Sequence, residues 1–113
     1  MLRTHTSGEL TSKHLGQTVR LSGWVASTRD HGGVSFIDLR DRWGTTQVVF
    51  NPAVSTQLHE KARELRDEFC VGVVGTVKAR PQGTTNSRIP TGEIEVYASE
   101  LTIYSRAKTP PFM

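Results

Sequence analysis

The sequence predicts an all-β domain, a five-stranded barrel with one helix between the third and fourth strands and a short helical turn near the N-terminus. Three observations predict it. Apolar and polar residues alternate with a period of two in five separate runs, as strands with one buried face require. The period becomes helical only once, between Val54 and Arg66. Turn-forming residues separate the runs at Gly32-Gly33, Trp43-Gly44, Asn51-Pro52 and from Pro81 to Gly92.

In chain order, Thr11-Ser12-Lys13-His14-Leu15-Gly16 has a capping hydroxyl before a single turn and a glycine after it, a unit suited to plugging one end of the sheet. The first strand is expected from Thr18 to Ala26, with Val19 and Leu21 alternating with Arg20 and Ser22. Gly23 before Trp24 points to a bulge or sharp coil that bends it. Ser27 to Gly33 then reads as a polar hairpin loop. The second strand sends Ile37 and Leu39 inward and Val34, Phe36, Asp38 and Arg40 outward. Asp41-Arg42-Trp43-Gly44 joins it to the third, which sends Thr46, Val48 and Phe50 inward and Gln47 and Val49 outward.

From Val54 to Arg66, Leu58, Ala62 and Leu65 recur at helical spacing among charges, so an amphipathic helix of about three turns should cap the sheet. The fourth strand, Phe69 to Arg80, turns Val71, Val73, Gly75, Val77 and Ala79 one way and Val74, Thr76, Lys78 and Arg80 the other. A long loop follows, of a kind that often carries function. The last strand, Glu93 to Tyr104, sends Ile94, Val96 and Ala98 inward and Glu93, Glu95 and Tyr97 outward. A slip near Ser99 would keep Leu101 and Ile103 on the apolar side. Three strands, a helix and two strands, with the first strand bent, is the order of an OB-fold barrel. Residues 1–106 are expected to form it, and 107–113, Ala-Lys-Thr-Pro-Pro-Phe-Met, to begin an interdomain linker.

Composition narrows the function classes. With 113 residues, 35% hydrophobic and 22% charged, the chain is one ordinary soluble domain with no membrane-spanning run and no signal peptide. Its net charge of +3 permits a polyanionic partner without demanding one. The single cysteine, Cys70, lies in an apolar run, so no internal disulfide forms and a buried, reduced thiol in a cytoplasmic protein is expected. His5, His14, His31 and His59 lack metal-ligand spacing with one another, and no nucleophile motif or Walker loop is present, so neither a catalytic nor a metal site is expected. Gly32-Gly33 precedes a strand rather than a helix, which suits a turn better than a phosphate cradle.

The informative feature is an aromatic among charges. Phe36 shares the outward face with Asp38 and Arg40, and Gln47 looks out from the next strand. An aromatic beside an amide suits an unpaired base, one group stacking on the ring and the other reading its edge. Alternation alone favours the commoner case, a half-buried Phe36 covered by a loop or neighbouring domain. Arg29, Lys78 or Arg80, and Glu95 fall on the same side of an OB barrel, offering cations for phosphates and a carboxylate for an exocyclic amine. Taken singly, each also has an ordinary reading: Arg29, Lys78 and Arg80 as solvated charges, Gln47 as a cross-strand pair, Glu95 as the ion partner of Arg80.

Seven blocks, R-T-H-T-S-G-E-L, G-W-V, R-D-H-G-G-V-S-F-I-D-L-R-D-R, G-T-T-Q-V-V-F, L-R-D-E-F-C-V, G-T-V-K-A-R and T-G-E-I-E-V, closely resemble the N-terminal anticodon-binding domain of bacterial aspartyl-tRNA synthetases, from Arg3 to about Phe112. The resemblance implies an OB fold that binds the anticodon loop of tRNA(Asp). It implies stacking by Phe36, an amide contact by Gln47, a base or phosphate contact by Arg29, and further contacts by Arg80 and Glu95. Lys78 stands where many bacterial members carry arginine, which keeps the charge and loses the bidentate geometry. His31 and Gly83 match loop positions at which histidine and glycine often accompany relaxed choice between tRNA(Asp) and tRNA(Asn). The parent enzyme of this family is a homodimeric class II aspartate–tRNA ligase using ATP and Mg2+, whose catalytic motifs are not in this sequence. The fragment is therefore expected to need no cofactor, to be inactive alone, and to be monomeric if its parent's dimer contacts lie elsewhere. The rival expectations are a stand-alone OB-fold module for single-stranded nucleic acid and a small complete enzyme.

Overall fold

The computed structural model describes residues 3–81, 83–86, 88–89 and 91–106. Five strands, β1 (Thr18–His31), β2 (Val34–Asp41), β3 (Gly44–Phe50), β4 (Cys70–Ala79) and β5 (Ile94–Ser105), close into a barrel in the order β1-β2-β3-β5-β4. The β3–β5 pair is parallel and all others are antiparallel. Closure depends on β1 serving two neighbours. Its first half, Thr18 to Trp24, pairs with β4, and its second, Trp24 to His31, pairs with β2.

Two expectations about β1 need correcting. The strand does not stop at Ala26, and Ser27 to His31 is not loop: those residues pair with β2 up to His31 opposite Val34. Only Gly32 and Gly33 turn, at φ of 61° and 84°, the pair of positive values that a two-residue hairpin matched to strand twist demands. The polarity of Ser27 to His31 reflects an outer, half-solvated ribbon rather than irregular backbone. The bulge also lies elsewhere, between Val25 and Ser27, leaving Ala26 without an opposite residue. Gly23 instead lets β2 pass closely, since a Cβ there would lie 2.2 Å from the Arg40 carbonyl oxygen.

The bulge expected in β5 is present. The register jumps from Ala98 opposite Gly75 to Glu100 opposite Val74, skipping Ser99. Leu101 is thereby returned to the core, at 5% exposure. Helix α1 (Thr56–Ala62) is shorter than predicted, with the Ser55 hydroxyl accepting from the Leu58 N–H as its N-cap. Beyond Ala62 the chain tightens into i→i−3 bonds, Glu64 N–H to Lys61 and Leu65 N–H to Ala62, which still brings Leu65 into the core. Leu10 closes the barrel near the Ser12–His14 turn, where the Thr11 side chain and His14 form a capping box. The Cys70 thiol is buried and outside any disulfide, and burial pushes its pKa up. The expected linker at 107–113 lies outside the described residues.

Candidate nucleic-acid interface

Strand register sorts the outward side chains into two rows across β1, β2, β3, β5 and β4. In the first, Arg29 lies opposite Phe36, Phe36 opposite Val49, Val49 beside Tyr97, and Tyr97 opposite Thr76. Val49 is 2% exposed and Phe36 half-buried, so the expected outward Val49 is a covered floor beside a partly open ring. In the second, Ser27 lies opposite Asp38, Asp38 opposite Gln47, and Glu95 opposite Lys78. Glu95 joins Gln47 because its neighbour Val96 pairs with Val48.

Arg29 reaches across from the first row and wires the second together. The Arg29 guanidinium donates to both Asp38 oxygens, Nη1 to Oδ2 at 2.7 Å and Nη2 to Oδ1 at 3.1 Å. Nη2 also donates to Gln47 Oε1 at 2.9 Å, and Gln47 Nε2 donates to Glu95 Oε1 at 2.9 Å. Ser27 Oγ completes the cluster with a bond to Asp38 Oδ2 at 2.6 Å. Burial works against a charged Asp38, but the bonds from Arg29 and Ser27 and the nearby charges of Arg29 and Arg80 outweigh it and hold its pKa below the ordinary aspartate value. The bond to Asp38 correspondingly raises Arg29.

Glu95 departs most from its expected setting. It sits on the outer face yet is 2% exposed, a buried carboxyl group satisfied by Gln47 Nε2 and by hydrogen bonding to Tyr97. Burial, followed by the Glu95 charge and this bond, pushes the Tyr97 phenol up. Arg80 is half-buried and held by backbone, Nε donating to Ile94 O at 3.0 Å and Nη1 to Thr84 O at 3.4 Å. Burial lowers its pKa, while Glu95 and Asp38 act in the opposite sense. Arg80 thus ties the end of β4 to the start of the loop that holds Gly83.

The remaining predicted residues ring this centre. Lys78 is exposed, with Nζ 5.6 Å from the Tyr97 ring centroid. His31 is exposed at the end of β1, beside the glycine turn. Gly83 is exposed at φ 86°, with open space where a Cβ would stand. A cleft of about 80 Å³ separates the β1–β2 hairpin from the end of α1, with Phe36 and Arg29 on one side and Arg63 and Arg66 on the other. The structure therefore gathers Arg29, Gln47 and Glu95 in one network with Phe36 adjacent, and leaves Lys78, His31 and Gly83 as an open rim. Asp38 and Tyr97 complete the network without having been singled out from sequence. Alternation placed both on the outer face, but only register shows what they meet.

A half-buried aromatic ring thus lies beside a hydrogen-bonded polar network on the outer face of a closed five-stranded barrel. The model of the OB-fold nucleic acid binding domain of the tRNA anticodon type matches residues 19–104. The chain belongs to that family. It is 55% identical over 113 residues to the aspartate–tRNA(Asp/Asn) ligase of Desulfosudis oleivorans, covering 100% of this chain and 19% of that one. The chain thus spans about a fifth of the length of this curated relative. Among solved structures, asparaginyl-tRNA synthetase from Pyrococcus horikoshii in complex with asparaginyl-adenylate superposes with a TM-score of 0.79 at 31% identity, over 100% of this chain and 25% of that one. An OBody bound to hen egg-white lysozyme superposes with a TM-score of 0.82 at 27% identity, covering 95% and 97%.

Proposed function

We propose that this domain reads the anticodon loop of tRNA(Asp), and also that of tRNA(Asn), as the RNA-binding part of an aspartate–tRNA ligase. The observation that carries this reading is the half-exposed Phe36 ring set beside the hydrogen-bonded Arg29–Gln47 pair. The ring supplies a stacking surface, the amide retains one N–H and one lone pair for a base edge, and Lys78 and the arginines near the cleft supply charge for phosphates. The ligase chemistry, activation of aspartate by ATP with Mg2+ in a homodimeric cytoplasmic parent enzyme, falls to residues outside this chain. Among the described residues no helix is long and apolar enough to cross a membrane.

Relaxed choice between the two tRNAs follows from the rim. The anticodons GUC and GUU differ only in their third base, cytosine offering an exocyclic amine where uracil offers a carbonyl. Histidine donates or accepts according to tautomer, so His31 tolerates either, and Gly83 presents no side chain to reject one of them. Titrating the domain with labelled RNA stem-loops tests both parts. Dissociation constants for GUC and GUU loops within about tenfold of each other, about 1.4 kcal/mol, are expected, together with much weaker binding of a scrambled loop. A hundredfold preference for GUC would remove tRNA(Asn). Equal binding of a DNA hairpin would favour a general single-strand module.

A further inference from the structure

In the outer-face network Asp38 is the residue on which the placement of Arg29 depends. Asp38 lies toward one end of the hydrogen-bonded chain, with the buried Glu95 at the other. Its carboxylate accepts both arms of the Arg29 guanidinium and the Ser27 hydroxyl. Arg29 then donates to Gln47 Oε1, and Gln47 Nε2 donates to Glu95 Oε1. A guanidinium has no acceptor and a carboxylate has no proton to give, so a chain running carboxylate, guanidinium, amide, carboxylate admits only one orientation of the amide. Rotating Gln47 by half a turn would set its N–H2 against the Arg29 N–H groups and its oxygen against the Glu95 oxygen, two repulsive contacts in place of two bonds. The orientation lasts while Arg29 stays in place. At 45% side-chain exposure Arg29 would otherwise be a mobile cation, and its fork geometry on Asp38 is what holds it.

We propose that Asp38 is a positioning residue for RNA recognition. By clamping Arg29 it fixes the direction of the Gln47 amide, and so sets the order of donors and acceptors shown to the base stacked near Phe36. The inference rests on the anticodon-binding reading. It also assigns Arg29 a restrained role: a guanidinium held by Asp38 and shared with Gln47 supports base reading rather than roaming to the nearest phosphate.

The test compares wild type with Asp38→Asn and Asp38→Ala, titrated with a GUC stem-loop and with loops altered singly at each anticodon base, over a range of KCl concentrations. Asp38→Asn keeps the shape and loses the charge and the fork; it carries the test if Asp38→Ala does not fold. Two coupled changes are expected. Discrimination against the most strongly rejected altered loop should fall at least about tenfold, which is about 1.4 kcal/mol. At the same time the slope of log K against log salt should steepen by about one ion as the released Arg29 turns to phosphate. A residue that merely stabilised the barrel would lower affinity for every loop in proportion to the folded fraction and leave the slope alone. Unchanged discrimination in a folded variant, with wild type binding selectively, overturns the positioning role and leaves the anticodon reading intact. No selectivity in wild type overturns both.

Discussion

Replacing Phe36 separates an RNA-stacking ring from a packing residue. Phe36 is half-buried, flanked in register by Arg29 and Val49, and belongs to the stretch of β2 that borders the cleft beside the end of α1. Truncating a fully buried phenylalanine costs about 3–5 kcal/mol, so a half-buried one should cost roughly half of that. Against a typical domain stability of about 5–15 kcal/mol, Phe36→Ala should remain folded. Base stacking on an aromatic contributes about 1–3 kcal/mol, so the dissociation constant for a GUC stem-loop should rise by roughly 5- to 150-fold. Phe36→Leu sharpens the distinction, because it retains most of the packing and removes the π face. It should melt within about 1.5 kcal/mol of wild type and still lose most of the affinity. The assay is fluorescence anisotropy with labelled RNA, paired with urea denaturation to obtain the folded fraction at each condition. If both variants bind within about twofold of wild type after that correction, well under 1 kcal/mol, no base stacks on Phe36.

Two further predictions concern stability. Gly23→Ala would place a methyl group 2.2 Å from the Arg40 carbonyl oxygen and 3.0 Å from its carbon, and backbone cannot swing aside as a side chain does. The β1–β2 pair must part, at a cost of about 1–3 kcal/mol or more, and thermal unfolding should show a clear fall in Tm; an unchanged Tm would mean β2 does not pass there. The Asp38 carboxylate, with its folded pKa held below the ordinary value, contributes stability that is present above the unfolded value of about 3.9 and lost as pH falls through the folded one. Denaturation midpoints at pH 7 and below pH 3 should therefore differ more in wild type than in Asp38→Asn. Equal losses would show that the Arg29 bond gives Asp38 no net stabilisation.

The faces of β1, β2 and most of β5 were legible because burial there follows a period of two, and even the β5 slip was legible because Leu101 would otherwise face water. β4 departs from it: Val74, expected outward, is buried, and Ala79, expected inward, is exposed at the strand's end. The extent of β1 was not legible. Ser27 to His31 pair through backbone bonds that no side chain advertises, so the two-residue turn at Gly32-Gly33 was read as the end of a longer loop. The burial of Glu95 was also hidden, because a lone carboxylate on an outer face reads as solvated. Its partners Gln47 and Tyr97 come from β3 and from β5 itself, and the Gln47 bond needs a parallel β3–β5 register that local pattern cannot supply. The predicted strand residues were thus placed on the outer face, while the links between them came only from the third dimension.

Those links bear on how selectivity would arise. Arginine and glutamine each lose up to about 2 kcal/mol of side-chain freedom when fixed, and here Arg29 and Gln47 are already fixed by protein partners before any RNA arrives. A base meeting them would not bear that cost, and Gln47 still has a second N–H and a second lone pair to offer. Lys78 and His31 have no comparable restraint in their described contacts and would be ordered only on binding. Substitutions of Arg29 or Gln47 should consequently alter which base is accepted beside Phe36, whereas substitution of Lys78 should alter how strongly any loop is held. The rim is also where tolerance of a changed third base is easiest to build, because Gly83 leaves open space and His31 adapts its hydrogen bond to what it meets.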